Sequence, residues 1–198
     1  MNKQALIQLL NTLTLDDKIT MIHGASMFQT GAVTEKNVPA FTFDDGPMGP
    51  RKEYQKDAWI PIGGNDDATS YLPSNSALAA TFNRKRALES GTILGREARG
   101  RGKDMILAPG INIHRSPLGG RNFEYMSEDP YLTAEIAVPF VEGIQQNDVS
   151  ACVKHYALNN QETDRTGYNA DVSERALWEI YLPAFRATVK KAHTMGMP

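Results

Sequence analysis

The sequence predicts an α/β fold with parallel strands, and two observations lead to that prediction. Short apolar runs bounded by glycine, proline or acidic residues alternate along the chain with amphipathic stretches of helical periodicity. The stretches between the runs hold helices of about 10 to 20 residues, the crossover length that joins parallel strands. Strand followed by helix, repeated in this way, is typical of a parallel α/β sheet.

Composition narrows the class of protein. The chain has 198 residues, a formal net charge of -2, 41% hydrophobic and 22% charged residues, which indicates a folded globular protein. The near-neutral charge argues against a nucleic-acid partner, which requires a concentrated basic face. No window approaches the roughly 18 apolar residues of a membrane span, so we expect no membrane partner. The N-terminus lacks a signal-peptide core, which favours a cytoplasmic protein, although a removed signal would leave the same sequence.

The first elements are predicted to be helical. Residues 4–11 form a short amphipathic pattern, and Thr14 is suited to cap a second helix over residues 15–23. Asp16 and Asp17 lie in the first turn of that helix, where they oppose the positive end of its dipole. The run "AFTF", residues 40–43, then predicts a short buried strand that stops at "DDGP".

The middle of the chain predicts two helices and a strand. Ser74 caps a helix that continues through Ala80, and residues 83–101 form the next helix. The second helix has one small-residue and apolar side, whereas its other side is charged; the apolar side carries Ala87, Gly91, Leu94 and Ala98. The run "DMILAPG", residues 104–110, is too short for a helix and suits a strand buried on both faces.

The last third repeats the pattern. Asp129 and Pro130 supply an N-cap and an N1 proline for a helix whose apolar positions recur every four residues, at Leu132, Ile136, Phe140 and Ile144. The run "SACVKHYAL" contains the next strand, which is expected to end at Lys154 and His155. A final helix is expected after Ser173, with an interruption at Pro183 and an end near Ala192. We find no internal repeat, low-complexity tract or linker, so a single domain over residues 1–198 is predicted.

Charged side chains follow the predicted strands. Asp45 follows "FTF", Arg121 lies in the loop after "MILA", and Lys154 with His155 closes "SACV". In parallel sheets such strand ends are where ligands bind. A carboxylate surrounded by cations and amides suits a neutral polyhydroxylated ligand, because vicinal hydroxyls both donate and accept charge-assisted hydrogen bonds. The loop "PGINIHRSPLGG" matches neither phosphate-binding glycine pattern.

Four segments in order carry a family resemblance: "FDDGPMGPR", "LAPGINIHRSPLGGRNFEYMSEDPYLT", "CVKHYALNNQE" and "DVSERALWEIYLPAFRATVKKA". Together they closely resemble the N-terminal (β/α)8-type domain of family 3 glycoside hydrolases, the β-glucosidase group, over roughly residues 14 to 192. The resemblance implies an incomplete TIM-like barrel and hydrolysis of O-glycosyl bonds in β-glucosides by a retaining mechanism. The segment "KHYALNNQETD" fits the glucosidase or xylosidase branch better than the β-N-acetylhexosaminidase branch.

The resemblance also assigns roles to individual residues. It implies a subsite for the non-reducing sugar, lined by Asp45, Arg51, Arg121, Lys154 and His155. Glu124 and Glu128 either contact the sugar or only order the loop that holds Arg121. Asp164 and Arg165 either form a solvated pair or reach the sugar. Taken without the resemblance, Asp45 is better explained as a cap of the turn "DDGP", and Arg121 as a loop residue that binds carbonyls.

The same resemblance implies that the catalytic carboxyl groups lie elsewhere. In that family the nucleophilic aspartate follows on a later barrel strand and the acid/base usually belongs to a second domain. We therefore expect the chain to be the front part of a larger enzyme or a truncated form, inactive or weakly active alone. The alternative is a non-catalytic half-barrel that binds sugar or only self-associates. Exposed strand edges favour a homo-oligomer or a complementary barrel fragment as partner.

Cofactors and metals are not expected. His23, His114 and His193 show no metal-ligand spacing. Cys152 lies in an apolar run and is interpreted as a small buried side chain rather than as a nucleophile. Trp59 precedes Pro61 in a loop, where it packs at the core or rim or offers an aromatic platform to a sugar. The expected ligand is a β-glucoside or a glucose-like sugar.

Overall fold

The computed structural model describes residues 2–53 and 67–198. The chain forms two compact units: Met1–Phe43 with Lys52–Asp67, and Asp44–Arg51 with Ala68–Pro198. Single-domain organisation stays a prediction. The second unit holds all the charged residues predicted to line the sugar subsite, Asp45, Arg51, Arg121, Lys154 and His155.

The first unit begins with the two predicted helices, α1 (Lys3–Thr12) and α2 (Leu15–Ile22). The Thr14 hydroxyl accepts from Asp17 N, and the Asp17 carboxylate accepts from Thr14 N, so a reciprocal capping box starts α2. Two short antiparallel strands follow, β1 (Gly24–Ser26) and β2 (Gln29–Thr30), and then a 3₁₀ turn over Thr34–Lys36.

A three-stranded sheet with strand order β3-β4-β5 follows along the chain, and apart from Phe43 its residues belong to the second unit. Its strands are β3 (Phe43–Asp45), β4 (Met105–Leu107) and β5 (Ser150–Ala151). β4 and β5 are parallel, with Met105 opposite Ser150 and Ile106 opposite Ala151. The α/β fold with parallel strands is therefore confirmed, and the described strands do not close into a barrel.

Five helices complete the second unit. They are α3 (Asn75–Ala79), α4 (Arg84–Gly100), α5 (Pro130–Gln145), α6 (Glu174–Ala176) and α7 (Pro183–Lys191), with a π-helical turn at Leu177–Tyr181 between the last two. The predicted caps Ser74 and Asp129 accept from Ala77 N and Tyr131 N. Ser173 caps α6 in the same way, at Ala176 N, so the helix starts agree with the local sequence signals.

Two predicted strands differ from the structure. The strand expected at residues 40–43 begins only at Phe43 and continues through both aspartates, because Asp44 is fully buried and lies 3.5 Å from Arg51 Nε. The strand expected from Ser150 to His155 is regular only at Ser150–Ala151. Beyond it, Cys152 bridges to Gly196 and Lys154 bridges to Gly110 as isolated pairs.

The core of the second unit lies where α4 and α5 pack against the sheet. Small residues let these helices approach closely, since a Cβ added at Gly91 would lie 2.1 Å from Phe140 O. The predicted apolar side of α4 is buried, and so are Ile136, Phe140 and Ile144 of α5. Across residues 2–53 and 67–198, every helix falls short of the length and apolar character needed to cross a bilayer.

Candidate functional site

Lys154 is positioned by the end of the parallel sheet. Its N–H donates to Pro109 O at 3.0 Å, and its carbonyl accepts from Ile111 N at 2.7 Å. These bonds extend the β4–β5 pairing past both strands, to the bridge between Gly110 and Lys154. The side chain therefore leaves the sheet beside the loop that follows β4.

Asp45 is placed by a tight glycine turn after β3. Gly46 has φ 132°, and a Cβ there would lie 1.8 Å from Gly49 O, so this turn requires glycine. Asp45 Oδ1 accepts from Gly46 N at 2.8 Å, and Asp45 O accepts from Arg51 N at 2.8 Å. The same Oδ1 lies 2.6 Å from Lys154 Nζ, 109 residues along the chain.

The loop that carries Arg121 is held by α3. Arg121 precedes a 3₁₀ turn over Asn122–Glu124. Buried Asn75 donates to Glu124 O at 2.8 Å. Ser76 Oγ lies 3.0 Å from Asn122 O and 2.9 Å from Tyr125 O. Side chains from a helix start thus satisfy the carbonyls of the turn and fix its place next to Lys154.

Glu124 joins the two main cations of the site. Its Oε1 accepts from Arg121 Nε, and its Oε2 lies 3.3 Å from Lys154 Nζ. The Lys154 and Glu124 side chains are only 3% and 5% exposed, so their charges require these partners. Burial alone would lower the pKa of Arg121, but its hydrogen bond and charge interaction with Glu124 raise that pKa above the ordinary value.

His155 is held on both sides. Its backbone N–H donates to Asn112 Oδ1 at 2.8 Å, and Asn112 Nδ2 donates to His155 O at 2.9 Å. Its ring nitrogen Nδ1 lies 3.0 Å from the Tyr125 hydroxyl oxygen. Burial, followed by the charges of Arg121 and Lys154, lowers the pKa of His155 to about 3, so the ring is neutral at neutral pH.

A third carboxylate, that of Glu162, extends the network outward. Glu162 Oε1 lies 3.7 Å from Arg121 Nη1, and Glu162 Oε2 accepts from Arg165 Nη1 at 3.0 Å. Arg165 is thus paired with Glu162, and Asp164 and Glu128 are exposed. Arg51 is half-buried beside Asp44, next to the Asp45 turn.

The structure therefore brings together Asp45, Glu124, Arg121, Lys154 and His155. The sequence did not predict roles for four residues of this site. Tyr125 and Asn112 contact His155. Asn159 contacts Tyr125, and Glu162 contacts Asn159. The run "NNQE" directly after the Lys154–His155 strand was the available signal for the last two. Trp59 lies outside the described residues.

Comparison with known proteins places the chain in a family. The family description "Glycosyl hydrolase family 3 N terminal domain" matches residues 62–198. The chain belongs to glycosyl hydrolase family 3. The resemblance stated from the four sequence segments is thereby confirmed.

Individual relatives agree with this membership. A β-glucosidase of Bacteroides ovatus is 45% identical over 182 residues, which is 92% of this chain and 24% of the relative. An exo-α-(1→6)-L-arabinopyranosidase of Bifidobacterium longum is 40% identical, over 91% of this chain and 24% of the relative. The structure of β-glucosidase 3B from Thermotoga neapolitana in complex with glucose superposes with a TM-score of 0.86 at 40% identity, covering 97% of this chain and 28% of that one. The chain thus spans about a quarter of the length of these relatives.

Proposed function

We propose that the chain supplies the sugar-binding subsite of a β-glucosidase-like glycoside hydrolase, with Asp45, Arg121, Lys154 and His155 binding the hydroxyls of a glucose-like sugar. The observation that carries this proposal is the ion-pair network from Asp45 through Lys154 and Glu124 to Arg121, assembled at strand ends. Arg51 supports the turn that presents Asp45, and Arg165 borders the network through Glu162.

Lys154 and Asp45 both keep hydrogen-bonding capacity for a ligand. The Lys154 ammonium has three hydrogens, and Asp45 and Glu124 take two of them. Asp45 uses Oδ1 for Lys154 and Gly46, so Oδ2 can accept from a hydroxyl. Because both charged groups are already paired and ordered, a sugar gains directional, charge-assisted bonds at little further cost in side-chain ordering.

Hydrolysis would follow the two-carboxylate, retaining scheme. That scheme requires a nucleophilic carboxylate and a protonated carboxyl group about 5 to 5.5 Å apart. Asp45 and Glu124 both have an oxygen bound to Lys154, which suits binding rather than attack. We therefore assign nucleophile and acid/base to groups outside this cluster, and we expect the chain alone to be inactive or weakly active.

The relatives guide the choice of sugar. The Thermotoga structure holds glucose, which favours a glucose-like ring, whereas the arabinopyranosidase shows that relatives of similar identity act on another sugar. A neutral polyhydroxylated ring is the ligand class that the cluster suits.

A calorimetric glucose titration together with a chromogenic β-glucoside assay tests this function. We expect saturable binding that Lys154→Met abolishes, and no turnover above the level of a heat-denatured sample. Arg86→Gln, which removes an exposed ion pair with Glu89, serves as the control and should bind glucose like the parent chain. Absence of saturable binding in the parent chain would refute the proposed subsite. Turnover by the parent chain far above the heat-denatured level, lost in Asp45→Ala, would refute the expectation that the chain alone is inactive or weakly active.

Self-association is the second candidate, because several large apolar side chains are exposed. Ile22 and Leu118 are 83% and 91% exposed, and Trp178 is 65% exposed in a groove with Leu182 and Pro183. Apolar exposure of this kind favours association with another chain. Light scattering after size exclusion measures the mass, and a monomer at all concentrations would contradict this candidate.

A further inference from the structure

A chain of hydrogen bonds leads from Glu162 to the ring of His155. Asn159 Nδ2 lies 2.9 Å from Glu162 Oε1 and 3.0 Å from the Tyr125 hydroxyl oxygen. That oxygen lies 3.0 Å from His155 Nδ1. All four side chains are buried or half-buried. The directions of these bonds decide which nitrogen of His155 carries the hydrogen, and therefore whether the other nitrogen, Nε2, donates or accepts.

Glu162 fixes the orientation of the Asn159 amide. A carboxylate can only accept, so the amide group that faces it must be the NH₂ group. The reversed amide would place Oδ1 against the carboxylate oxygen. Arg165 Nη1 holds the other oxygen of Glu162 at 3.0 Å, which keeps the carboxylate in place. Asn159 Nδ2 then gives one hydrogen to Glu162 and its other hydrogen to Tyr125.

Tyr125 passes this direction on to His155. Its oxygen already accepts from Asn159, and its own hydrogen still needs an acceptor because the residue is only 2% exposed. Within the described part of the chain, His155 Nδ1 is the acceptor that the structure provides. A hydrogen on His155 Nδ1 would instead leave the phenolic hydrogen buried without a partner, which is costly.

The protonation states agree with this direction. Burial raises the pKa of Tyr125 to about 12, so the phenol keeps its hydrogen at neutral pH. Burial also lowers the pKa of His155 to about 3, so the imidazole has a single hydrogen to place. Asn112 binds the backbone of His155 at both N–H and C=O, which holds the ring in register with Tyr125.

We infer that Glu162, Asn159 and Tyr125 are positioning residues that hold His155 in the tautomer with its hydrogen on Nε2. His155 is then a hydrogen-bond donor, and the ligand atom that it meets must be an acceptor oxygen. The identity of that ligand as a sugar rests on the proposed function, whereas the tautomer is a property of the chain without ligand.

NMR of the chain labelled with ¹⁵N-histidine reads the tautomer directly. The chain has four histidines, and His155→Gln identifies the signals of His155. In the parent chain we expect His155 Nδ1 to be unprotonated and Nε2 to be protonated. Tyr125→Phe removes the donor to Nδ1, so both tautomers should become populated.

Asn159→Asp is designed to reverse the relay, by which we mean the directed hydrogen bonds from Glu162 through Asn159 and Tyr125 to His155. The new carboxyl group shares a proton with Glu162, because two bare carboxylates cannot face each other at this distance, and its oxygen accepts the hydrogen of Tyr125. The phenolic oxygen then becomes an acceptor, and the His155 hydrogen moves to Nδ1. Gln161→Glu is the matched control, because it adds a negative charge at an exposed position of the same loop and should leave the tautomer unchanged. Backbone amide spectra report whether each variant is folded; should Asn159→Asp not fold, the Tyr125→Phe spectrum decides.

Two results would overturn the inference: a hydrogen on His155 Nδ1 in the parent chain, or an unchanged tautomer in the folded variants of Tyr125 and Asn159. A glucose titration separates this inference from the proposed function. We expect Tyr125→Phe to bind glucose about fivefold more weakly, which corresponds to the loss of one hydrogen bond. The predicted tautomer without any glucose binding would refute the function and leave the relay intact, whereas glucose binding by a parent chain with the hydrogen on Nδ1 would refute the relay alone.

Discussion

Glu124→Gln tests whether the buried ion-pair network holds the site together. The substitution keeps the shape of the side chain and removes the charge that both Arg121 and Lys154 contact. A hydrogen bond to a charged group contributes about 1.5 to 3 kcal/mol, so loss of both would cost about 3 to 6 kcal/mol. Lys154 keeps Asp45 at 2.6 Å, and the amide oxygen of glutamine still accepts one bond. We therefore expect a loss of about 2 to 3 kcal/mol in the free energy of unfolding.

Urea denaturation measures this loss. With a slope of about 2 to 3 kcal/mol per molar urea, the midpoint should fall by about 1 M. Glu89→Gln is the control, since it removes an exposed pair with Arg86 that is worth less than about 1 kcal/mol. If the midpoint of Glu124→Gln falls no further than that of Glu89→Gln, the network does not stabilise the loop, and the reasoning that links its burial to a preformed site fails.

Three further predictions concern packing and protonation. Gly91→Ala should destabilise the chain by about 1 to 3 kcal/mol in urea denaturation, because the new Cβ meets Phe140 O. Gly100→Ala is the control and should be neutral or stabilising, since a Cβ there has no atom within 4 Å. Equal midpoints of the two variants would contradict the close approach of α4 and α5. The depressed pKa of His155 means that, below about pH 6.5, the unfolded chain binds a proton that the folded chain does not. The free energy of unfolding should therefore fall as the pH falls from about 6.5 to 3, by less than about 1.4 kcal/mol per pH unit. His155→Gln should remove this part of the slope. Burial raises the pKa of the Cys152 thiol to about 11, so labelling by a thiol reagent at pH 8 should occur at the rate of unfolding, and fast labelling of the folded chain would argue against its burial.

Helix starts could be predicted from the sequence because their signals are local. Thr14, Ser74, Asp129 and Ser173 each cap the helix that follows, within three residues of the backbone N–H that they accept from. The extent of β3 could not be predicted in the same way. Asp44 belongs to that strand, is fully buried and lies near Arg51. The run "DDGP" does not predict this contact, because it depends on a residue outside the run.

The candidate site was predictable to a similar degree. Asp45 and Lys154 were expected near one another because both follow parallel strands, and their 2.6 Å contact agrees with that expectation. Tyr125, Asn159 and Glu162 were missed because their roles come from contacts between separate loops, and a tyrosine, an amide and a glutamate in loops are ordinary surface composition. Their sugar-site roles, like those of Asp45 and His155, stay proposals.

A crystal structure of the chain soaked with glucose tests the central claim most directly. The account predicts one glucose whose hydroxyls lie within hydrogen-bond distance of Asp45 Oδ2, Lys154 Nζ and His155 Nε2, with a side-chain nitrogen of Arg121 at its rim. Glucose bound on another surface, or an unliganded cluster at saturating glucose, would contradict it.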